Sequence, residues 1–120
     1  MAINSFKDLI VWQKSMDIIP NIYKITRELP LEERYGLASQ LQRASLSIPS
    51  NIAEGSKRSG RSDFRHFCLV ALGSAAEVET QLLVIKKLYP SIPTDDAINE
   101  IVDIQKMLSS LTKNLRLSKV

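Results

Sequence analysis

Residues 62–89 read SDFRHFCLVALGSAAEVETQLLVIKKLY, and their apolar residues recur at alternating steps of four and three. The series comprises Phe64, Cys68, Ala71, Ala75, Val78, Leu82, Ile85 and Tyr89. Steps of this kind average about 3.5 residues, the spacing of a helix that packs nearly parallel to its neighbours. The segment therefore predicts one long helix of a helical bundle.

Three further segments show the same spacing, whereas no segment alternates with the two-residue period of a strand. Their apolar or small residues are Leu9, Trp12, Met16, Ile19 and Tyr23, then Ala38, Leu41, Ser45, Ile48 and Ile52, and finally Ala97, Ile101, Ile104, Leu108, Leu111 and Leu115. Because the joints are short, consecutive helices should be antiparallel neighbours. The prediction is an all-α, up-and-down four-helix bundle in a single domain. Residues 1–120 form that domain, with helices over roughly 5–28, 31–55, 62–89 and 94–116.

Signals for helix ends support these boundaries. Ser5 and Asp8 fit a capping box at the first helix. Pro30 marks the start of the second helix, Ser62 is a plausible N-cap of the third, and Thr94 opens the fourth.

Two prolines fall inside otherwise helical patterns, Pro20 and Pro49. Each lacks a backbone donor and clashes with the preceding turn, which costs about 3 kcal/mol in a regular helix. We expect a kink near each of them. For residues 47–51, a break into two shorter helices is the alternative.

The third helix carries more apolar residues than one core-facing stripe needs. Phe67, Leu69, Val70, Leu72 and Leu83 lie beside its main series and cover more than one face. This surplus predicts burial against another subunit. The alternative is a wide core stripe with scattered exposed apolar side chains.

Composition narrows the class of protein. The 120 residues carry 16 Lys and Arg against 13 Asp and Glu, a formal charge of +3, so the position of the charges matters more than their sum. Cys68 is the single cysteine, which fits a reducing cytoplasm. No signal peptide is apparent, and no uninterrupted apolar run approaches the roughly 18 residues of a membrane span. We expect a cytoplasmic protein with no membrane association.

Residues 55–62 read GSKRSGRS and nearly match a phosphate-binding P-loop. Arg61 replaces the essential lysine, and the loop follows a predicted helix where a P-loop follows a strand. A polar turn between helices is therefore favoured over nucleotide hydrolysis.

The same region is rich in cations. Lys57, Arg58, Arg61, Arg65 and His66 lie within ten residues, and Arg61 and Arg65 are one helical turn apart. Such a cluster can hold a phosphate backbone, and a solvated loop is the alternative. Phe64 and Phe67 are expected in the core, so no aromatic platform for base stacking is predicted near the cluster.

No constellation typical of an enzyme occurs. His66 is the only histidine and has no partners at metal-ligand spacing, while Glu77 and Glu79 point in different directions on one helix. Cys68 lies in the main apolar series and reads as a core residue. We predict no catalytic residue, no cofactor and no metal site.

Several stretches of the chain carry a family resemblance. They are Phe6-Lys7-Asp8-Leu9-Ile10-Val11-Trp12-Gln13-Lys14-Ser15, Tyr35-Gly36-Leu37, Ser39-Gln40-Leu41-Gln42-Arg43-Ala44, Ser47-Ile48-Pro49-Ser50-Asn51-Ile52-Ala53-Glu54-Gly55, Ala71-Leu72-Gly73-Ser74, Glu77-Val78-Glu79-Thr80-Gln81-Leu82 and Lys106-Met107-Leu108. Together they resemble the bacterial four-helix-bundle proteins often encoded in intervening sequences of large-subunit ribosomal RNA genes. The chain departs from that pattern at Pro20 and in its modest charge.

The resemblance implies a four-helix bundle that assembles as a ring-like homopentamer. The chain is also similar to the accessory variability proteins of diversity-generating retroelements, whose basic pentamers engage nucleic acid and a reverse transcriptase. The resulting hypothesis is a non-enzymatic homo-oligomer that binds RNA or DNA through the phosphate backbone, with RNA favoured. The resemblance implies that this oligomer is a pentamer.

The residues expected to contact nucleic acid are Arg43, Lys57, Arg58, Arg61 and Arg65. A reverse transcriptase or another protein is a further expected partner. The alternative function is a protein–protein interaction or scaffold module with no nucleic-acid role.

Overall fold

The structure, a computed structural model, describes residues 5–117. Two short 3-10 helices, Phe6–Asp8 and Leu31–Glu33, accompany the α-helices. These are α1 (Ile10–Asp17), α2 (Ile19–Glu28), α3 (Leu37–Ser56), α4 (Arg61–Leu88) and α5 (Asp95–Leu117). α1 and α2 are separated by a single residue and together form the first arm of the bundle. Counting this arm as one helix, the described residues form four helical rods and contain no strand. The prediction of an all-α, four-helix domain is confirmed.

The four rods pack side by side in a molecule of 50 × 20 × 19 Å. α4 lies against both α3 and α5, and the first arm covers α3. Six consecutive members of the predicted α4 series are fully enclosed, namely Cys68, Ala71, Ala75, Val78, Leu82 and Ile85, each 0% exposed. Burial of a large aliphatic side chain contributes about 1.5–3 kcal/mol, so this series anchors the core.

The first arm differs from the expected helix over 5–28. Ser5 caps the 3-10 helix rather than an α-helix, and its hydroxyl accepts from the Lys7 N–H at 3.2 Å. The α-helix begins only at Ile10 and is interrupted at Ile18. Pro20 lies in the first turn of α2, where its missing N–H and fixed φ are tolerated. The arm therefore divides two residues before the proline.

Pro49 lies inside α3, which is continuous from Leu37 to Ser56. The alternative of two shorter helices is therefore wrong. Proline in a helix interior costs about 3 kcal/mol. The adjacent Ile48 and Ile52 are both 0% exposed, and their burial at about 1.5–3 kcal/mol each offsets that cost.

Two helix starts also differ from expectation. A 3-10 helix follows Pro30, and α3 begins only at Leu37, seven residues after the proline. The N-cap of α4 is Gly60, with no side-chain cap, so the assignment of Ser62 is wrong. Gly60 has an extended backbone, and its carbonyl accepts from the Phe64 N–H at 3.1 Å, so the helix starts before Ser62 is reached.

The surplus apolar residues of the third predicted helix divide into two groups. Leu72 packs against the core and Phe67 is half-buried. Leu69, Val70 and Leu83 are 39%, 40% and 43% exposed. We use the name outer face for the exposed uncharged residues on the solvent-facing side of α4, a side that also carries the exposed Glu77 and Lys87. The outer face comprises Leu69, Val70, Gly73, Ala76, Thr80, Leu83, Val84 and Leu88.

Length and composition alone would allow α4 to cross a membrane. Its most apolar window of 18 residues has a mean hydropathy of 1.5, and 39% of that window is buried inside the bundle. The sequence prediction rested on uninterrupted apolar runs, and α4 contains no such run of the required length. A core helix of a soluble bundle has the same composition, so the outer face is the feature that needs an explanation.

Candidate nucleic-acid interface

One end of the rod-shaped molecule is basic. The antiparallel order brings together the first 3-10 helix, the end of α3, the start of α4 and the end of α5. We call this region the basic end. Its seven cations are Lys7, Lys57, Arg58, Arg61, Arg65, Lys113 and Arg116, and its three carboxylates are Asp8, Glu54 and Asp63.

The rest of the described chain has the opposite balance. It carries eight cations, namely Lys14, Lys24, Arg27, Arg34, Arg43, Lys86, Lys87 and Lys106. Its ten carboxylates are Asp17, Glu28, Glu32, Glu33, Glu77, Glu79, Asp95, Asp96, Glu100 and Asp103. The modest overall charge of the chain thus conceals a separation of charge along the molecule, which concentrates positive potential at one end.

A tight crossing of α3 and α4 shapes the basic end. Gly55 is buried, and a Cβ atom added there would lie 2.6 Å from the Phe67 Cβ and 3.2 Å from Phe64 Cδ1. Only a residue without a side chain permits this approach. The turn of residues 57–60 follows at once and carries Lys57 and Arg58 to the surface.

A pocket of about 400 Å³ opens at the basic end, within the size range of small-molecule sites. Its apolar lining comprises Phe6, Leu9, Phe64, Leu111 and Leu115. Its polar lining comprises Ser5, Ser56, Lys57, Arg58, Ser59, Gly60 and Arg61. Phe64, which was expected in the core, lines this pocket beside the cations. Phe64 is only half-buried, because α4 starts so close to it that the core cannot enclose the ring.

Arg58 is engaged within the protein. Its Nη2 donates to Glu54 Oε2 at 2.6 Å, one helical turn earlier, and both side chains are about half exposed. Its guanidinium also lies over the Phe67 ring, 5.0 Å from the centroid. This double contact holds the side chain in place, and the carboxylate neutralises part of its charge.

Arg65 links two helices. Its Nε donates to the Thr112 carbonyl of α5 at 3.1 Å. This bond leaves the two terminal nitrogens of the guanidinium for other partners. Arg65 therefore positions the end of α5 against the start of α4.

The side chains of Lys57 and Arg61 are exposed and make no hydrogen bond or ion pair with any described residue. Lys57 Nζ lies 6.0 Å from the centroid of the Phe6 ring, and both cations line the pocket. Arg43, by contrast, precedes Lys57 by 14 residues of α3, which is about 21 Å along a helix. Four of the five residues expected to contact nucleic acid thus lie together, and Arg43 does not.

Sequence reasoning missed several members of the basic end. Phe6, Lys7, Lys113 and Arg116 come from the two termini of the chain. The antiparallel order already implied that both termini lie beside the turn of residues 57–60, so combining topology with charge would have identified them.

Two titratable groups outside the pocket have perturbed pKa values. Burial raises the pKa of the Cys68 thiol from 9.0 to about 11. At the opposite end of the bundle, the Tyr89 hydroxyl donates to Glu33 Oε2 at 2.7 Å, and that hydrogen bond raises the tyrosine pKa. Within residues 5–117 no three His, Cys, Asp or Glu side chains are grouped to hold a metal ion.

Comparison with known proteins gives a family match and a structural neighbour. A sequence profile described as 23S rRNA-intervening sequence protein matches residues 7–110. The fold is similar to that of a protein of unknown function of the S23 ribosomal protein family from Bacteroides thetaiotaomicron VPI-5482. The two chains are 27% identical with a TM-score of 0.78, and the match covers 87% of this chain and 99% of the other. No curated protein matches in sequence.

Proposed function

The chain belongs to the family of 23S rRNA-intervening sequence proteins, and from this membership we propose that it is a non-enzymatic, homo-oligomeric bundle that binds nucleic acid through phosphate contacts at its basic end. RNA is the favoured ligand, since the family takes its description from a ribosomal RNA gene. A cytoplasmic location follows from that ligand.

The observation that carries the proposal is the separation of charge along the bundle. Seven cations face three carboxylates at the basic end, whereas carboxylates exceed cations elsewhere in the described chain. Cations on one face attract a polyanion, and each phosphate they neutralise releases counterions. Lys57 and Arg61 are the principal contacts, because their charges have no partner among the described residues. Arg58 and Arg65 contribute from fixed positions.

The outer face of α4 supports the oligomeric part of the proposal. It exposes Leu69, Val70, Leu83, Val84 and Leu88 in a stripe along the helix, with Gly73 and Ala76 in between. Small residues within an apolar stripe allow a second helix to approach closely. We propose that another copy of the chain covers this face, and that the ring is a pentamer as the family resemblance implies.

The basic end suggests a direct binding experiment. Affinity for a fluorescent RNA would be measured across a salt series, with Arg61→Ala compared with Arg34→Ala. Arg34 is an exposed arginine at the opposite end, so both variants change the net charge equally. Each phosphate contact contributes about −0.7 to −0.9 to the slope of log K against log salt. We expect Arg61→Ala to weaken binding and flatten the slope by about that amount, and Arg34→Ala to leave both unchanged.

Absence of binding at low salt, or an affinity that does not change with salt concentration, would refute the nucleic-acid role. Assembly needs a separate measurement by light scattering at micromolar concentration. Leu83→Glu on the outer face should dissociate the oligomer, and Leu46→Glu should not, although Leu46 is as exposed at 42% as Leu83 at 43%. A wild-type monomer would refute the assembly proposal.

A second candidate function is a protein–protein scaffold with no nucleic-acid role. The outer face of α4 favours it, since an apolar stripe can bind a different protein as well as a second copy. A reverse transcriptase is the partner that the family resemblance suggests. Recovery of a stoichiometric protein partner from nuclease-treated lysate, lost in Leu83→Glu, would favour this candidate.

A further inference from the structure

We propose that the pocket at the basic end receives a single unpaired nucleobase, while Lys57 and Arg61 hold the adjoining phosphate. The protein would then bind single-stranded RNA in preference to duplex. This inference rests on the proposed nucleic-acid role and adds what part of the ligand is recognised. It starts from the coincidence of aromatic rings, apolar walls and cations in one cavity.

The walls of the pocket suit a flat aromatic ligand. The rings of Phe6 and Phe64 both line it, and Leu9, Leu111 and Leu115 complete the apolar lining. Phe6 is itself fixed by Trp12, with ring centroids 5.1 Å apart in an edge-to-face arrangement. Stacking of a base on an aromatic side chain tightens binding by about tenfold and tolerates any base.

The cations stand where the phosphate of such a nucleotide would lie. Lys57 Nζ is 6.0 Å from the centroid of the Phe6 ring, so a charge adjoins the aromatic wall. Arg61 lines the same cavity from the first turn of α4. The Ser59 hydroxyl adds a hydrogen-bonding group to the lining, which a base or ribose can use and a hydrocarbon chain cannot. The Ser5 hydroxyl already accepts from the Lys7 N–H, and the Ser56 hydroxyl already donates to the Ala53 carbonyl.

The expected preference for single-stranded RNA follows from the geometry of the ligand. In a duplex, both faces of each base are stacked and its pairing edge is occupied, so a base cannot enter the cavity without unstacking. Unpaired bases can be splayed out and stacked on protein side chains. Phosphate contacts alone would favour the duplex, which has the higher charge density and releases more counterions per contact, so a preference for the single strand tests the base pocket separately.

The experiment compares a short single-stranded RNA with its duplex by fluorescence anisotropy, using the full chain at one low salt concentration. We expect the single strand to bind about tenfold more tightly, in line with one stacked base. Phe64→Leu should abolish this preference and leave duplex affinity unchanged. The control is Phe67→Leu, because Phe67 does not line the pocket. This variant removes the ring beneath Arg58, so it should weaken binding of both RNAs and retain the preference for the single strand.

A second measurement covers the case in which Phe64→Leu fails to fold. Trp12 is the only tryptophan of the chain and contacts Phe6, so a base in the pocket should perturb its fluorescence. Titration of the wild-type protein with a nucleoside monophosphate should give a saturable change that Arg61→Ala weakens. Inorganic phosphate alone should give no such change.

The outcomes separate the two proposals. Equal affinity for single strand and duplex, no response of Trp12 to the nucleotide, or an unaltered preference in a folded Phe64→Leu variant would overturn the base pocket. Each of these results would still be compatible with salt-dependent RNA binding at the basic end. Loss of all RNA binding would instead refute the proposed function itself.

Discussion

The hydroxyl oxygens of Ser47 and Ser74 lie 2.6 Å apart and join α3 to α4 near the middle of the bundle. The Asn51 amide extends this link, donating to the Ser47 hydroxyl at 3.1 Å and to its carbonyl at 2.8 Å. Ser47 and Asn51 flank the buried Pro49 in the chain. The Asn51 side chain therefore adds a hydrogen bond to α3 close to the proline, whereas the carbonyl that loses its helical donor to Pro49 is that of Ser45.

This link predicts a measurable coupling between the two serines. Ser47→Ala and Ser74→Ala should each lower the free energy of unfolding by about 1 kcal/mol, because each removes the hydrogen bond between the two half-buried hydroxyls. The double variant should lose less than the sum, with a coupling of about 0.5–1 kcal/mol. Urea unfolding of the four proteins would measure the cycle. Strict additivity would show that the short contact contributes nothing.

Glycines 55 and 73 are predicted to respond in opposite directions to alanine. At Gly55 the new Cβ would lie 2.6 Å from the Phe67 Cβ, so α3 and α4 must move apart. Overpacking of this kind costs about 1–3 kcal/mol. At Gly73 nothing lies within 4 Å of the added Cβ, and the gain in helix propensity should stabilise by about 0.5–1 kcal/mol.

Thermal unfolding would test both glycine variants. The protein should be dilute, so that no second copy covers the outer face of α4. A neutral Gly55→Ala would mean that the crossing of α3 and α4 is looser than the structure indicates. Because Gly55 also lies in the pocket lining, that variant should impair RNA binding as well.

The core was predictable from the sequence because it depends on periodicity. The series from Cys68 to Ile85 marks the buried side of α4 correctly, and the same steps identify the other rods. Helix starts were less predictable, since they depend on local backbone bonding. The carbonyl of Gly60 starts α4 before Ser62 can cap it. The continuity of α3 through Pro49 reflects burial of the flanking isoleucines, a tertiary effect that outweighs the local preference of proline.

The site was only partly predictable. The cations of residues 57–65 lie close together in the sequence, so the sequence alone identifies them as a cluster. The pocket was not found, because its walls come from Phe6, Phe64 and Leu115, which lie far apart in the chain and meet only through the antiparallel order. Phe64 was expected in the core on the basis of its register. Its position in the first turn of α4 leaves it at the end of the core instead.

Cys68 should be inert in the folded protein and should make stability depend on pH above 9. Burial raises its pKa from 9.0 to about 11, so the folded state retains the thiol proton longer than the unfolded state does. A group with a raised pKa contributes stability at low pH that is lost as pH rises. We therefore expect the free energy of unfolding to fall between about pH 9 and pH 11.

The control for this effect is Cys68→Ala, which should show a shallower dependence over the same range. Tyr89 also has a raised pKa in the native state and contributes to both proteins equally, so the difference in slope isolates the cysteine. A thiol reagent at pH 8 should modify unfolded protein rapidly and native protein slowly. Rapid modification of the native protein would contradict the enclosure of Cys68.

Gln81 offers a prediction of increased stability. Its side chain is buried in α4, 7% exposed, and its Oε1 has no hydrogen-bond partner. A buried acceptor without a partner costs about 1–3 kcal/mol, whereas an apolar side chain of similar shape carries no such cost. Gln81→Met should therefore raise the urea midpoint of unfolding by the equivalent of about 1–2 kcal/mol.

The neighbouring Thr80→Met, at an exposed position on the outer face, is the control and should have little effect on the dilute monomer. If Gln81→Met proves destabilising, the glutamine amide must be hydrogen-bonded in solution, and its role would then be to fix the register of α4 within the bundle.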